Sequence, residues 1–246
     1  MARSRPLSVL AASIAVLFLA GAALSPLKKI ASPAEDYPEL ETSAGENFLF
    51  GILGGYRPFA AEIFWLRAFS AWERRDVVPC VANIDFAAKL DPKSRMFWHM
   101  GADIIAFDTP AWIIRRDRVS SKSLQALIRR RQGAAALDFL DRGLKALPKS
   151  RQLLLDKALV YDKSFGDKLA ALACLEKADD DFAPMHIVRR HCSALEELGR
   201  YEESLAALKK ALPRFNPEHP ATKIYKEHII LIENKIKSIK DKEAAK

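Results

Sequence analysis

The 246-residue sequence lacks the marks of a β-sheet protein. It has no run of alternating Val, Ile and Thr, and no Asn-Gly or Asp-Gly, the dipeptides that close tight hairpins. Ala, Leu, Lys, Arg and Glu recur instead, so an almost wholly helical chain is expected. Cysteine is scarce: Cys80, Cys174 and Cys192 make an odd count with no CxxC pair. Neither a disulfide framework nor a zinc site is indicated. Each cysteine lies in an apolar helical stretch and reads as a small buried residue, with a Cys174–Cys192 bond as the minority alternative.

The motifs of common chemistries are missing too. HExxH, GxSxG, a Walker phosphate loop and GxGxxG do not occur, so the usual arrangements for metal hydrolysis, acyl transfer and nucleotide binding are absent. His186 and His191 are five apart, off the i, i+4 spacing that would put two ligands on one helix face. Asp179-Asp180-Asp181 lacks the glycine and terminal glutamate of a calcium loop and reads as a solvated turn. No catalytic residue, cofactor or metal site is expected, and the chain is not expected to be an enzyme.

Half of the residues are apolar, enough for a sizeable core. The net charge of +8 admits an acidic partner, anionic lipid or nucleic acid. Arg3 and Arg5 precede an uncharged apolar run from Leu7 to Leu27, closed by Lys28-Lys29. Its length matches a bilayer's hydrocarbon core. Residues 1–30 are therefore expected to be a retained signal anchor, with a cleaved signal peptide or a buried globular helix as alternatives. Residues 31–46 form an acidic, proline-containing linker. Between Asn47 and Phe59, Gly51, Gly54, Gly55 and Pro58 interrupt large apolar residues. This segment reads as a cap over the first hairpin or, through Phe48, Phe50 and Tyr56, as an apolar docking segment.

The organising stretch runs from Cys192 to Leu212: the end of one helix, a turn at Gly199-Arg200 and a second helix. Glu202 and Glu203 lie in the second helix's first turn, and Lys209 and Lys210 in its last, as the helix dipole favours. Small and apolar residues recur in second helices as Cys80-x3-Ile84-x2-Ala87, Ala136-x3-Leu140-x2-Gly143, Ala171-x3-Leu175-x2-Ala178 and Ser204-x3-Leu208-x2-Ala211. Pro92, Pro148, Pro184 and Pro217 follow them. Ala158 to Cys192 and Tyr161 to Leu195 are each 34 residues.

In this pattern residues 60–217 resemble a tetratricopeptide repeat protein. The resemblance implies an all-α, right-handed superhelix of helical hairpins over 47–217, with 218–246 as a C-terminal capping helix and basic tail. It departs from the family where Arg67, Lys157 and His191 replace leucine and where Gly143 stands in a helix. It also implies a concave groove lined by first helices, where Arg67, Lys157, Arg189, Arg190 and His191 would meet an acidic or carboxylate-bearing partner.

An insertion at about 108–131 breaks the spacing. It carries Trp112, Arg115, Arg116, Arg118, Lys122, Arg129, Arg130 and Arg131 against Asp108 and Asp117, a net of +5. It reads as a solvated basic helix, a site for anionic headgroups or an acidic partner, or, least favoured, a nucleic-acid contact. The resulting expectation is a membrane-anchored, single-pass scaffold of the bacterial envelope, its repeats on the exported side. It would bind protein subunits of a membrane complex and no nucleic acid, and its oligomeric state is left open. The alternative is a peripheral protein docking on anionic lipid through the basic insertion.

Overall fold

The computed structural model describes residues 56–244. Ten α-helices are described: α1 Arg57–Glu73, α2 Val77–Leu90, α3 Arg95–Asp103, α4 Thr109–Arg116, α5 Lys122–Ala146, α6 Arg151–Val160, α7 Lys168–Ala178, α8 Met185–Glu197, α9 Tyr201–Ala211 and α10 Pro220–Ala244. Single π-helical turns, Ile104–Asp108 and Tyr161–Phe165, extend α3 and α6. The described residues form an all-α helical bundle.

Local chemistry sets the helix ends. The Ser121 and Asp167 side chains accept hydrogen bonds from the Leu124 and Ala170 amides and cap α5 and α7. Gly199, with φ of +77°, makes the turn between α8 and α9. Short connections turn each helix back on its predecessor, so α1 packs on α2, α6 on α7 and α8 on α9.

Two apolar clusters form the core. The first gathers residues of α1 to α6 around Phe97, Trp98, Phe139 and Leu140. The Trp98 and Phe139 rings lie 4.7 Å apart, and the Trp98 indole donates to the Pro92 carbonyl at 2.9 Å. The second gathers α6 to α10 around Val188, Cys192, Leu208 and Tyr225. Helix α6 serves both, giving Leu153 and Val160 to the first and Leu155 and Ala158 to the second. Helix α10 covers the far end with Tyr225, Ile229 and Ile232, while Ile224 is exposed.

The small residues picked out by spacing are buried where helices cross: Cys80, Ala87, Ala136, Gly143, Ala171, Ala178, Ser204 and Ala211. The tetratricopeptide superhelix is nevertheless not what the structure supports. Its units do not recur, because α3 has 9 residues, α4 has 8 and α5 has 25, and two pairs are interrupted by π turns. The interval from Ala87 to Gly143 is therefore not a hairpin carrying an appendage. Its α4 packs on the first cluster through Trp112 and lies against α5, whose first turns stay largely exposed. Close crossings need small residues at regular intervals in any stack of similar helix pairs, which is why the 34-residue spacing misleads.

The membrane-anchored reading also finds no support. Among the described residues no helix is long and apolar enough to cross a membrane. The expected anchor at 1–30, the linker at 31–46 and the docking residues Phe48 and Phe50 lie outside the described residues. Single-pass attachment and an exported, periplasmic location thus have no structural basis here.

Candidate functional site

Helix α1 is apolar on two sides. Pro58 occupies its first turn, where a missing N–H costs nothing. Ala60, Ala61, Ala68 and Ala71 face the core and let α1 lie close on α2. The opposite side carries Phe59, Ile63 and Leu66, exposed by 68%, 43% and 65%, with Tyr56, the residue just ahead of the helix, 70% exposed and Phe69 half exposed beside them. Aromatic side chains offer about 150–250 Å² each, so this face presents on the order of 500 Å² of apolar surface. Contiguous patches of that size mark interaction sites on folded proteins. Glu62 borders the row on one side and Arg67 on the other, both exposed. The Arg67 guanidinium lies over its own helix's Phe64 ring, 5.6 Å from the centroid.

A second feature is polar and lies between α3 and α6. His99 and Asp103 stand four residues apart on α3, and Gln152 and Asp156 four apart on α6, so each pair shares a helix face. Asp156 is 4% exposed. Its Oδ2 lies 2.9 Å from His99 Nδ1, and its Oδ1 accepts from the Gln152 amide at 2.9 Å. His99, Asp156 and Asp103 each offer one ligand atom, and these lie within 4.8 Å of one another. Burial pushes the Asp156 carboxyl above the ordinary range, with His99 and Gln152 pulling it back. Burial also raises Asp103, opposed by His99 and reinforced by Asp108.

The residues expected to line a groove do not converge. Arg67 is on the outward side of α1, Lys157 reaches Asp141 at 2.5 Å, and His191 pairs with Asp179 at 2.7 Å. Arg189 and Arg190 are exposed on α8. Of the five, Arg190 alone lines the cleft among α6, α7 and α8, together with Asp162, Lys163, Lys168 and Glu197.

The basic insertion does not form a lipid-facing patch. Trp112, expected as part of the headgroup-binding insertion, is half-buried on the first core cluster and meets Trp72 edge-on at 6.4 Å. Arg116 is taken up by Asp117 at 2.7 Å. Arg115 and Arg118 are exposed around the α4–α5 turn, and Arg129, Arg130 and Arg131, being consecutive on α5, point in three directions. These arginines are dispersed or paired, so the insertion offers no basic face for docking on anionic lipid.

All three cysteines are buried and free. Burial pushes the Cys80 thiol up to about 11 and the Cys192 thiol up to about 12, so both stay protonated at neutral pH.

Sequence reasoning missed the polar cluster because it searched for two histidines at helical spacing. The available signal was His99-x3-Asp103 and Asp156, a charge set directly after the apolar run Leu153-Leu154-Leu155. No family model and no curated protein matches the chain, so the tetratricopeptide resemblance has no support from comparison either.

Proposed function

We propose that this domain is a binding module rather than an enzyme, and that it works by pairing α1 with α1 of a second copy, side by side and parallel. The observation that carries this is the outward row Phe59, Ile63 and Leu66, which Tyr56 extends from the position just ahead of the helix. Within the helix its spacings of four and three residues are those of a heptad seam. Taking these as the seam positions puts Glu62 and Arg67 on its two flanks, five residues apart. In a parallel pair those flanks meet across the interface, so Glu62 of each copy faces Arg67 of the other. An antiparallel pair would set like charges together. Beyond Leu66 the seam reaches Ser70 and Glu73, which limits the contact to the first half of the helix. Two such faces bury on the order of 1,000 Å², at the small end of specific interfaces, so association is reversible. The protonated, buried thiols and the prominence of an apolar surface support binding over catalysis.

Sedimentation velocity of the full chain over a range of concentrations tests this reading. A monomer–dimer equilibrium is expected, with Leu66→Glu giving monomer and unchanged helical circular dichroism. Glu62→Arg weakens the dimer, and Glu62→Arg combined with Arg67→Glu restores it. A wild-type chain that stays monomeric, or a double variant as weak as the single one, overturns the proposal.

A further inference from the structure

We infer that His99, Asp103 and Asp156 form a binding site for one divalent first-row metal ion of the zinc type, held between α3 and α6. The donor set is an imidazole nitrogen and two carboxylate oxygens, a borderline set that suits zinc and its neighbours rather than calcium or magnesium, which take oxygen alone. Three protein ligands leave the fourth position of a tetrahedral ion open to solvent. His99 is a third exposed on its side chain while Asp156 is almost wholly enclosed, so an ion has a route in and an anchored ligand to meet.

The arrangement is close to what coordination needs. Bonds of about 2.0–2.2 Å place neighbouring ligand atoms roughly 3.3–3.6 Å apart in a tetrahedron. The three atoms already lie within 4.8 Å, and the His99–Asp156 contact at 2.9 Å opens slightly when an ion replaces the bridging proton. Gln152, donating to the other Asp156 oxygen at 2.9 Å, keeps its place as the outer partner that orients a ligating carboxylate. Asp103 is what the protein's own contacts leave unexplained: its carboxylate accepts no hydrogen bond from a described residue and stands beside a second carboxylate. Asp108, the nearby third acid, is occupied by the Trp72 indole at 2.6 Å. An ion of charge +2 balances the Asp103 and Asp156 carboxylates together. Ligands on facing helices, here His99 and Asp103 from α3 and Asp156 from α6, are how helical bundles build metal centres. Asp103 also stands immediately before the π turn Ile104–Asp108, a distortion that recurs at functional sites.

Titration of the chelator-treated full chain with zinc chloride, followed by calorimetry, and with cobalt chloride, followed by its visible absorption, tests the inference. One ion per chain is expected, with tetrahedral cobalt absorption and a zinc-dependent rise in melting temperature. Asp103→Asn leaves the His99–Asp156 pair and the fold in place, and is expected to weaken zinc binding by about a hundredfold or more. Asp156→Asn and His99→Gln should do the same, with folding confirmed by circular dichroism. Absence of binding to the wild-type chain overturns the site. So does equal binding by Asp103→Asn, which would place the ion on the cysteines or on surface histidines.

Discussion

Gly143 shows how one residue's role depends on what crosses it. In sequence it weakens a helix; in the structure an added Cβ would stand 2.9 Å from Trp98 Cδ2 and 3.1 Å from Leu153 Cδ1. Gly101 is tighter still, with Ile84 Cγ2 at 2.6 Å and the Phe139 ring at 2.9 Å. Alanine gains about 1 kcal/mol of helix propensity at either position. Overpacking a dense core costs about 1–3 kcal/mol, and here the obstructing groups are themselves buried and, for Trp98, pinned by a hydrogen bond. Gly101→Ala should therefore lower the urea midpoint, and Gly143→Ala should lower it less. A midpoint raised by either substitution would mean that the crossing helices separate easily. The positions of Ala87, Ala136, Ala178 and Ala211 were legible because small residues at helical spacing have few other reasons to recur. The reason for Gly143 was not, since nothing local says that Trp98, 45 residues earlier, lies against it.

Among the elements, the π turns were the least legible. A π turn has no composition of its own; it forms where the surroundings pay for a widened turn. At Ile104–Asp108 the compensation is visible in Thr109, whose buried hydroxyl donates to the Ile105 carbonyl at 2.8 Å and lies 3.2 Å from the Gln132 amide oxygen on α5. Thr109→Val keeps the shape and removes the donor. A buried hydrogen bond contributes about 0.5–1.5 kcal/mol net, and the abandoned carbonyl adds a desolvation penalty of about 1–3 kcal/mol. The variant should lose about 2 kcal/mol in thermal or urea melts, with faster amide exchange confined to the π turn and the start of α4. Exchange that accelerated equally in α9 and α10 would show that the turn is not held locally. The polar pairs on α3 and α6 illustrate the same limit. Each was visible as an i, i+4 pair, but their meeting depended on how α5 brings the two helices together.

At the scale of the whole molecule, the question is whether two clusters make one cooperative unit. Helix α6 gives alternate faces to both, and polar ties reinforce it: His99–Asp156 toward α3, Lys157–Asp141 toward α5 and Arg151–Asp180 toward the α7–α8 connection. With side chains in both clusters, α6 cannot unfold with one and remain packed in the other. The probes separate cleanly, because Trp65, Trp72, Trp98 and Trp112 all belong to the first half, whereas far-ultraviolet circular dichroism reports every helix. Leu208→Ala removes a side chain 1% exposed in the second cluster, far from any tryptophan, and truncations of this kind cost about 2–5 kcal/mol. If α6 couples the clusters, the fluorescence and circular dichroism midpoints in urea fall together and the transitions stay superimposable. If fluorescence holds its wild-type midpoint while circular dichroism shifts, the second cluster melts alone and α6 is a boundary rather than a bridge. Coincident transitions are expected, because the residues that α6 buries on its two sides lie within one continuous helical segment of 10 residues, too short to keep one half folded without the other.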